Sequence, residues 1–193
     1  MYFKMEKDGI SPENLPLFLE QTVDRAVVRH KLDVSIETKN YLAGMLANFA
    51  ETINLFPDQN AETWLEPLTI QCQRITQETN ILQRRSQQQQ LGDHCLFLVG
   101  YFYDFLRRHG EANVRYYSSV GSTAYRQTGR KPFVEVGKKF NELYLVIADL
   151  HLPQLDEKKT LEIYERWEKT EDRYYASLLL GKGIMPQRLQ RGN

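Results

Sequence analysis

The chain has 193 residues, with 25 Lys plus Arg set against 25 Asp plus Glu, so its formal net charge is zero. That length suits one domain able to bury roughly 70% of its unfolded surface without a covalent staple. The charge balance argues against a general nucleic-acid binder, which needs a basic excess to engage phosphates. Two cysteines, Cys72 and Cys95, are too few for a disulfide framework. Each falls on an apolar helical stripe and is expected to pack as a small hydrophobe. Met1 to Gly9 is charged and lacks the apolar stretch of a signal peptide. These features point to a cytoplasmic protein with no membrane association.

Ser11-Pro12-Glu13 predicts the start of a first helix, because Ser caps and Pro suits the first turn. Leu15, Phe18, Leu19, Val23, Ala26 and Val27 form its apolar face, which fades near His30. Ser35 opens a second helix with Tyr41, Leu42, Met45, Leu46, Phe49 and Ile53 on one stripe, closed by Phe56-Pro57-Asp58. From Glu62 to about Arg85, Leu68, Cys72, Ile75, Thr79 and Leu82 recur at heptad-like spacing. Ser86-Gln87-Gln88-Gln89-Gln90 is the one low-complexity stretch and reads as a solvated turn.

The centre of the pattern is residues 92–108. Between Cys95 and Leu106 the only charge is Asp104. A helix apolar on nearly every face is a buried one, and about 12 residues are too few to cross a bilayer, which needs ~20. Gly100 within it is expected to admit a neighbouring backbone. Asn113 can cap the following helix, where Tyr117, Val120, Gly121 and Ala124 share a face. After the break at Gly129-Arg130-Lys131-Pro132 comes a helix bearing Phe133, Val136, Phe140, Leu143, Tyr144, Ile147 and Leu150. Asp156 caps a last helix, with Leu161, Tyr164, Trp167, Tyr174, Tyr175, Leu178 and Leu179 inward and Gly181 as its C-cap. Its acids, Asp172 among them, read as solvent-facing.

The expected architecture is therefore all-α: a single-domain elaborated helical bundle of about six or seven helices around a buried central helix. Residues 1–10 form an N-terminal extension, 11–184 the helical domain, and 185–193 a flexible basic tail.

Motifs that fix a chemistry are missing. There is no Gly-rich phosphate loop after a strand, no Gly-x-Ser-x-Gly, no Cys-x-x-Cys and no His-Glu-x-x-His. Di-iron bundles need Glu-x-x-His on two helices. The residues three before His30, His94, His109 and His151 are Val27, Leu91, Leu106 and Ala148. No metal and no cofactor are expected.

One polar cluster stands out. Asp93 and Asp104 are eleven residues apart, ~16 Å along one helix, too far to act together on one bond, where ~5–10 Å is needed. A buried Asp93 needs partners, and Tyr117, Tyr125 and Arg126 are the nearest by topology. They form either a hydrogen-bonded brace or a ligand site beside the Tyr-rich helix. The favoured functional expectation is a non-enzymatic helical module that binds a protein partner or self-associates, since tyrosine is enriched at interfaces. The alternative is a small-molecule-binding or enzymatic site lined by Asp93, Tyr117, Tyr125 and Arg126.

The pattern Gly92-Asp93-x-Cys95-Leu96-Phe97-Leu98-x-Gly100-x-Phe102, followed by Tyr116-Tyr117-x-x-x-Gly121-x-x-Ala124-Tyr125, resembles a group of bacterial proteins of about this length. The likeness extends from Glu66-Pro67 to Gly183-Ile184-Met185-Pro186. It implies a small helical cytoplasmic protein. It carries no established activity, so it transfers no catalytic residue.

Overall fold

The computed structural model describes residues 14–55 and 68–187. These form ten α-helices and one 3-10 segment, with no strand among them. The expected N-terminal extension, the Ser11-Pro12 helix start, the Phe56-Pro57-Asp58 stop and most of the basic tail lie outside the described residues.

Helix α1 (Leu15–Arg29) packs, after a short turn, against α2 (Ile36–Leu55). Helix α3 (Leu68–Gln77) leads into α4 (Ile81–Tyr101), which packs on α3, α5, α6 and α8. Helices α5 (Tyr103–Arg108), α6 (Glu111–Gln127), α7 (Phe133–Lys138) and α8 (Phe140–Ala148) follow. A 3-10 segment, Asp149–Gln154, turns the chain into the α9 (Glu157–Thr170) and α10 (Arg173–Gly181) hairpin.

Helix α4 is the buried axis, with Cys95, Leu96, Phe97, Leu98, Val99 and Gly100 all buried. Its apolar run meets neighbours on every side, which removes that surface from water at roughly 25 cal/mol per Å². Glycines set how closely those neighbours come. A Cβ on Gly100 would lie 2.5 Å from the Ile147 Cβ and 2.8 Å from the Tyr144 carbonyl oxygen, so Gly100 admits α8. A Cβ on Gly121 would lie 2.6 Å from the Cys95 Cβ, which marks the α4–α6 crossing. The close approach expected at Gly100 is present, but the backbone it admits belongs to α8 instead of the Tyr-rich helix.

The helix count exceeds the expected six or seven because three long segments are each interrupted, two beside a carbonyl bonded by a distant side chain and one at a left-handed residue. The expected 92–108 helix divides at Phe102, where the Tyr101 carbonyl accepts a hydrogen bond from His151 Nε2 at 2.8 Å. The 133–150 segment divides at Lys139, where Ser122 Oγ donates to the Gly137 carbonyl at 2.8 Å. The last helix divides at Glu171, whose φ is +52°, and Asp172 then caps α10 by accepting the Tyr174 N–H. A helix carbonyl engaged by a distant side chain, or a left-handed residue, ends the local ladder.

Other expectations are corrected. The Gln stretch is helical, lying inside α4, with Gln88 buried against Gln127. The N-terminal signal that was missed is Asn80, whose side chain accepts the Leu82 and Gln83 N–H groups. Asn113 does not cap α6, which begins two residues earlier at Glu111 after Gly110. The heptad-like seam stops at Ile75, because Thr79 falls between helices and Leu82 is 61% exposed. Leu161 is exposed instead of inward. Gly181 is the last residue of α10, and the positive φ of +76° belongs to Gly183. Asp156 does cap α9, accepting the Lys159 N–H at 2.8 Å.

Candidate functional site

Asp93 is built into the core by its neighbour Gly92. A Cβ on Gly92 would lie 2.8 Å from the Tyr125 ring, so only glycine lets that ring lie flat on α4. One residue on, Asp93 Oδ1 accepts the Tyr125 hydroxyl at 2.5 Å and also the Tyr41 hydroxyl from α2. Gln89, one turn back on α4, adds a side-chain hydrogen bond. The Tyr41 ring stands edge-on to Tyr125 and to Phe133, with centroids 6.3 and 4.9 Å away. Burial pushes the Asp93 carboxyl up to about 6, while the Tyr125, Tyr41 and Gln89 hydrogen bonds pull it down. Burial beside this carboxylate raises both tyrosines far above the ordinary phenol range.

Of the residues expected around Asp93, the structure brings in Tyr125 and leaves out Tyr117 and Arg126. Eight residues separate Tyr117 from Tyr125, ~12 Å along a helix, and Tyr117 lies half-buried near Cys95. Arg126 follows Tyr125 and so points about 100° away around the helix, onto the opposite, solvated side of α6. Tyr41 is the partner that sequence reasoning missed. It sat on an apolar stripe of α2, and nothing local distinguishes a tyrosine whose hydroxyl finds a carboxylate from one that reaches water.

Four other acids, of which Asp149 alone is fully buried, are also engaged between elements. Asp104 accepts Arg166 Nη1 at 2.6 Å and the Tyr175 hydroxyl at 2.6 Å. Asp172, expected in solvent, caps α10 and accepts the Tyr103 hydroxyl at 2.7 Å and Arg107 Nη1. Asp149, 3% exposed, pairs with Arg29 at 2.6 Å and lies 3.4 Å from His30 Nε2. Glu135 takes the Ser35 and Thr38 hydroxyls at 2.5 and 2.6 Å. Each acid ties one helix to another. A carboxylate already holding two or three donors has little remaining capacity to take a proton from a substrate.

The solvated side of α6 is different. Arg115, Ser118, Ser119, Ser122 and Arg126 recur at three- and four-residue spacing, which places them on one helical face. They line a groove of about 440 Å³, closed across the way by Asn141 and Tyr144 of α8 and by Arg173 at the start of α10. The lining holds three arginines and no carboxylate. Among the described residues none of the three arginines forms an ion pair. Ser118 is 8% exposed, and its hydroxyl has no hydrogen-bond partner. A buried hydroxyl without a partner costs about 1–3 kcal/mol, and this one lies in the lining of the groove. Arg126 was singled out from the sequence, but for the wrong face. The helical repeat of Arg and Ser along α6 was the available signal.

A second cavity, about 530 Å³ and more open, is apolar and lined by Leu155, Leu161, Tyr164 and Ile184 with Asp156, Glu157 and Lys182 at its edge. Asp93 lines neither cavity. Among the described residues no group of three or more His, Cys, Asp or Glu side chains is placed to hold a metal ion. No helix among them is long and apolar enough to cross a membrane. Comparison with protein-family models, with curated proteins and with solved structures found no match to this chain, so the site is read from its own geometry.

Proposed function

We propose that this chain is a helical binding protein that acts by holding a small molecule in the groove between α6, α8 and α10, not by catalysis. The observation that carries this reading is the unneutralised lining of that groove. Three exposed arginines without ion pairs and the buried, unpartnered Ser118 hydroxyl converge on one groove that holds no carboxylate. Cavities of this volume suit whole small molecules, which bind by a few convergent polar groups on a concave surface. The carboxylates that catalysis would recruit are committed to bracing the helices instead. The absence of a disulfide between Cys72 and Cys95, both free thiols, supports a cytoplasmic setting.

Native mass spectrometry of protein purified gently from its own host tests the reading. A retained small-molecule adduct is expected on the wild type and not on Ser119→Trp, which fills the groove from an exposed position. Equal adducts on both proteins, or none on either together with no thermal shift from any small anion, would refute it.

A second reading, self-association, rests on the open apolar cavity near the C-terminal hairpin, where Leu161 is 61% exposed and Met185, next to Ile184, is 69% exposed. Light scattering on the full chain decides it: a concentration-independent monomer rules it out, and a dimer lost in Leu161→Glu supports it.

A further inference from the structure

We infer that the groove takes an elongated organic molecule with an anionic group at each end, a bis-phosphate or phosphate–carboxylate, instead of a single compact anion. The inference rests on the binding reading given above and names its ligand class. The groove has two cationic ends, and the chain direction fixes which residues belong to each.

The chain runs back along α6 through α7 and into α8. A Cβ on Gly137 would lie 2.8 Å from Arg126 Cγ and 2.8 Å from the Ser122 carbonyl, and a Cβ on Gly121 would lie 2.6 Å from the Phe140 ring. Moving from residue 137 to 140 thus moves from 126 to 121 on α6. The next turn of α8 places Tyr144 toward Ser118 and Arg115. Tyr144 in turn lies near Asp172 and Arg173 at the start of α10, feeling the charge of both. Arg115 and Arg173 therefore share one end of the groove, with Ser118 beside them. Arg126 forms the other, and Asn141, next to Phe140, lies between the two ends.

Arg115 and Arg126 are eleven residues apart, so their Cα atoms stand ~16 Å apart along the helix axis. Arg126 Nε donates to the Ser122 carbonyl one turn back along α6 at 3.3 Å, which fixes its side chain beside the groove and leaves its terminal N–H groups free to meet a ligand. Two anionic groups span that separation better than one phosphate reaching for both arginines. Neither nearby acid lines the groove: Asp172 accepts from Arg107 and Tyr103, and Glu142 lies outside the lining.

The donors match anionic oxygens in kind as well as charge. Guanidinium groups only donate, and they pair bidentately with phosphate or carboxylate. The unpartnered Ser118 hydroxyl supplies a further donor at the Arg115–Arg173 end. That end has more donors than a carboxylate's two oxygens use well, so it suits a phosphoryl group. The Arg126 end suits either anion. Between them Ser119 and Ser122 offer a polar floor for an uncharged body.

Calorimetric titration at low salt with a ruler series tests this: α,ω-alkanediol bisphosphates of increasing chain length, with the matching alkyl monophosphates and inorganic phosphate. The expected result is a length optimum, with the best bisphosphate at least tenfold tighter than its monophosphate. Arg115→Gln and Arg126→Gln should each erase that gain while melting like the wild type, because both side chains are exposed and free of ion pairs. Equal affinity for monophosphate and bisphosphate, with loss in only one of the two variants, would overturn the two-ended ligand and leave the binding reading standing. Undiminished binding in an Arg115→Gln/Arg126→Gln double variant, or no binding of any probe at millimolar concentration, would overturn both.

Discussion

Replacing Asp93 by Asn tests whether the carboxylate at the centre of the fold is held at a net cost. Its pKa rises from 3.8 to about 6 because burial outweighs the hydrogen bonds from Tyr125, Tyr41 and Gln89. Between those two values the folded state holds more protons than the unfolded one, so stability falls as pH rises through this window. The difference of roughly two pKa units corresponds to about 3 kcal/mol, fully present below pH 4 and lost above pH 6. Asparagine imitates the protonated side chain, since its carbonyl oxygen still accepts from the tyrosines. Asp93→Asn is therefore expected to match the wild type near pH 4 and to exceed it at pH 7.5. For a chain of this size, about 3 kcal/mol moves the melting temperature by roughly 6–12 °C. Melts of both proteins from pH 4 to 7.5 are the assay, and their difference cancels every other titrating group. A variant that melts below the wild type at pH 7.5, with no convergence at low pH, would show that the charged hydrogen bonds outweigh burial and would refute the reasoning.

Gly92→Ala is expected to destabilise by about 1–3 kcal/mol, the range for overpacking a core, because its Cβ would meet the Tyr125 ring at 2.8 Å; an unchanged denaturant midpoint would contradict this. Asp172→Ala removes the α10 cap and the acceptor for Tyr103, a loss of about 1–3 kcal/mol, and amide exchange should speed first in α10. Ser118→Ala deletes an unpartnered buried hydroxyl, so in the absence of ligand it should leave stability unchanged or raise it by about 1 kcal/mol while weakening the binding of bisphosphates; a marked loss of stability would show that the hydroxyl is structurally engaged.

The all-α class and the central helix were legible because they follow from periodicity, which is local. Residues 95–100 are apolar on all sides, and only a buried helix tolerates that. The interruptions were not legible, because their causes are remote: His151 reaches the Tyr101 carbonyl from 50 residues away, and Ser122 reaches that of Gly137 from 15. The Gln stretch misled for a related reason. Its composition suits a turn, yet the Asn80 cap and the packing of Gln88 make it helix. At the site, Asp93 and Tyr125 were found because a charge within an apolar helix demands a partner. Tyr41 was not, since pairing between α2 and α4 is a tertiary fact. Arg126 was assigned to the wrong face because its sequence neighbour Tyr125 faces inward, and adjacent helical residues diverge.

The cross-ties also bear on the order in which the molecule assembles. Tyr41, Ser35, Thr38 and Arg29 lie on or beside the first two helices, and their acidic partners are Asp93, Glu135 and Asp149, separated by 52, 100, 97 and 120 residues. A chain made from its N-terminus presents α1 and α2 long before those acids exist. Until α4 has emerged, the apolar faces of the first hairpin have only each other, and Arg29 faces water until Asp149 follows α8. Bundles dominated by local contacts fold quickly, whereas closing long loops slows the search. Here the helices form on the fast scale, and the locking of the first hairpin waits for the last of its carboxylates.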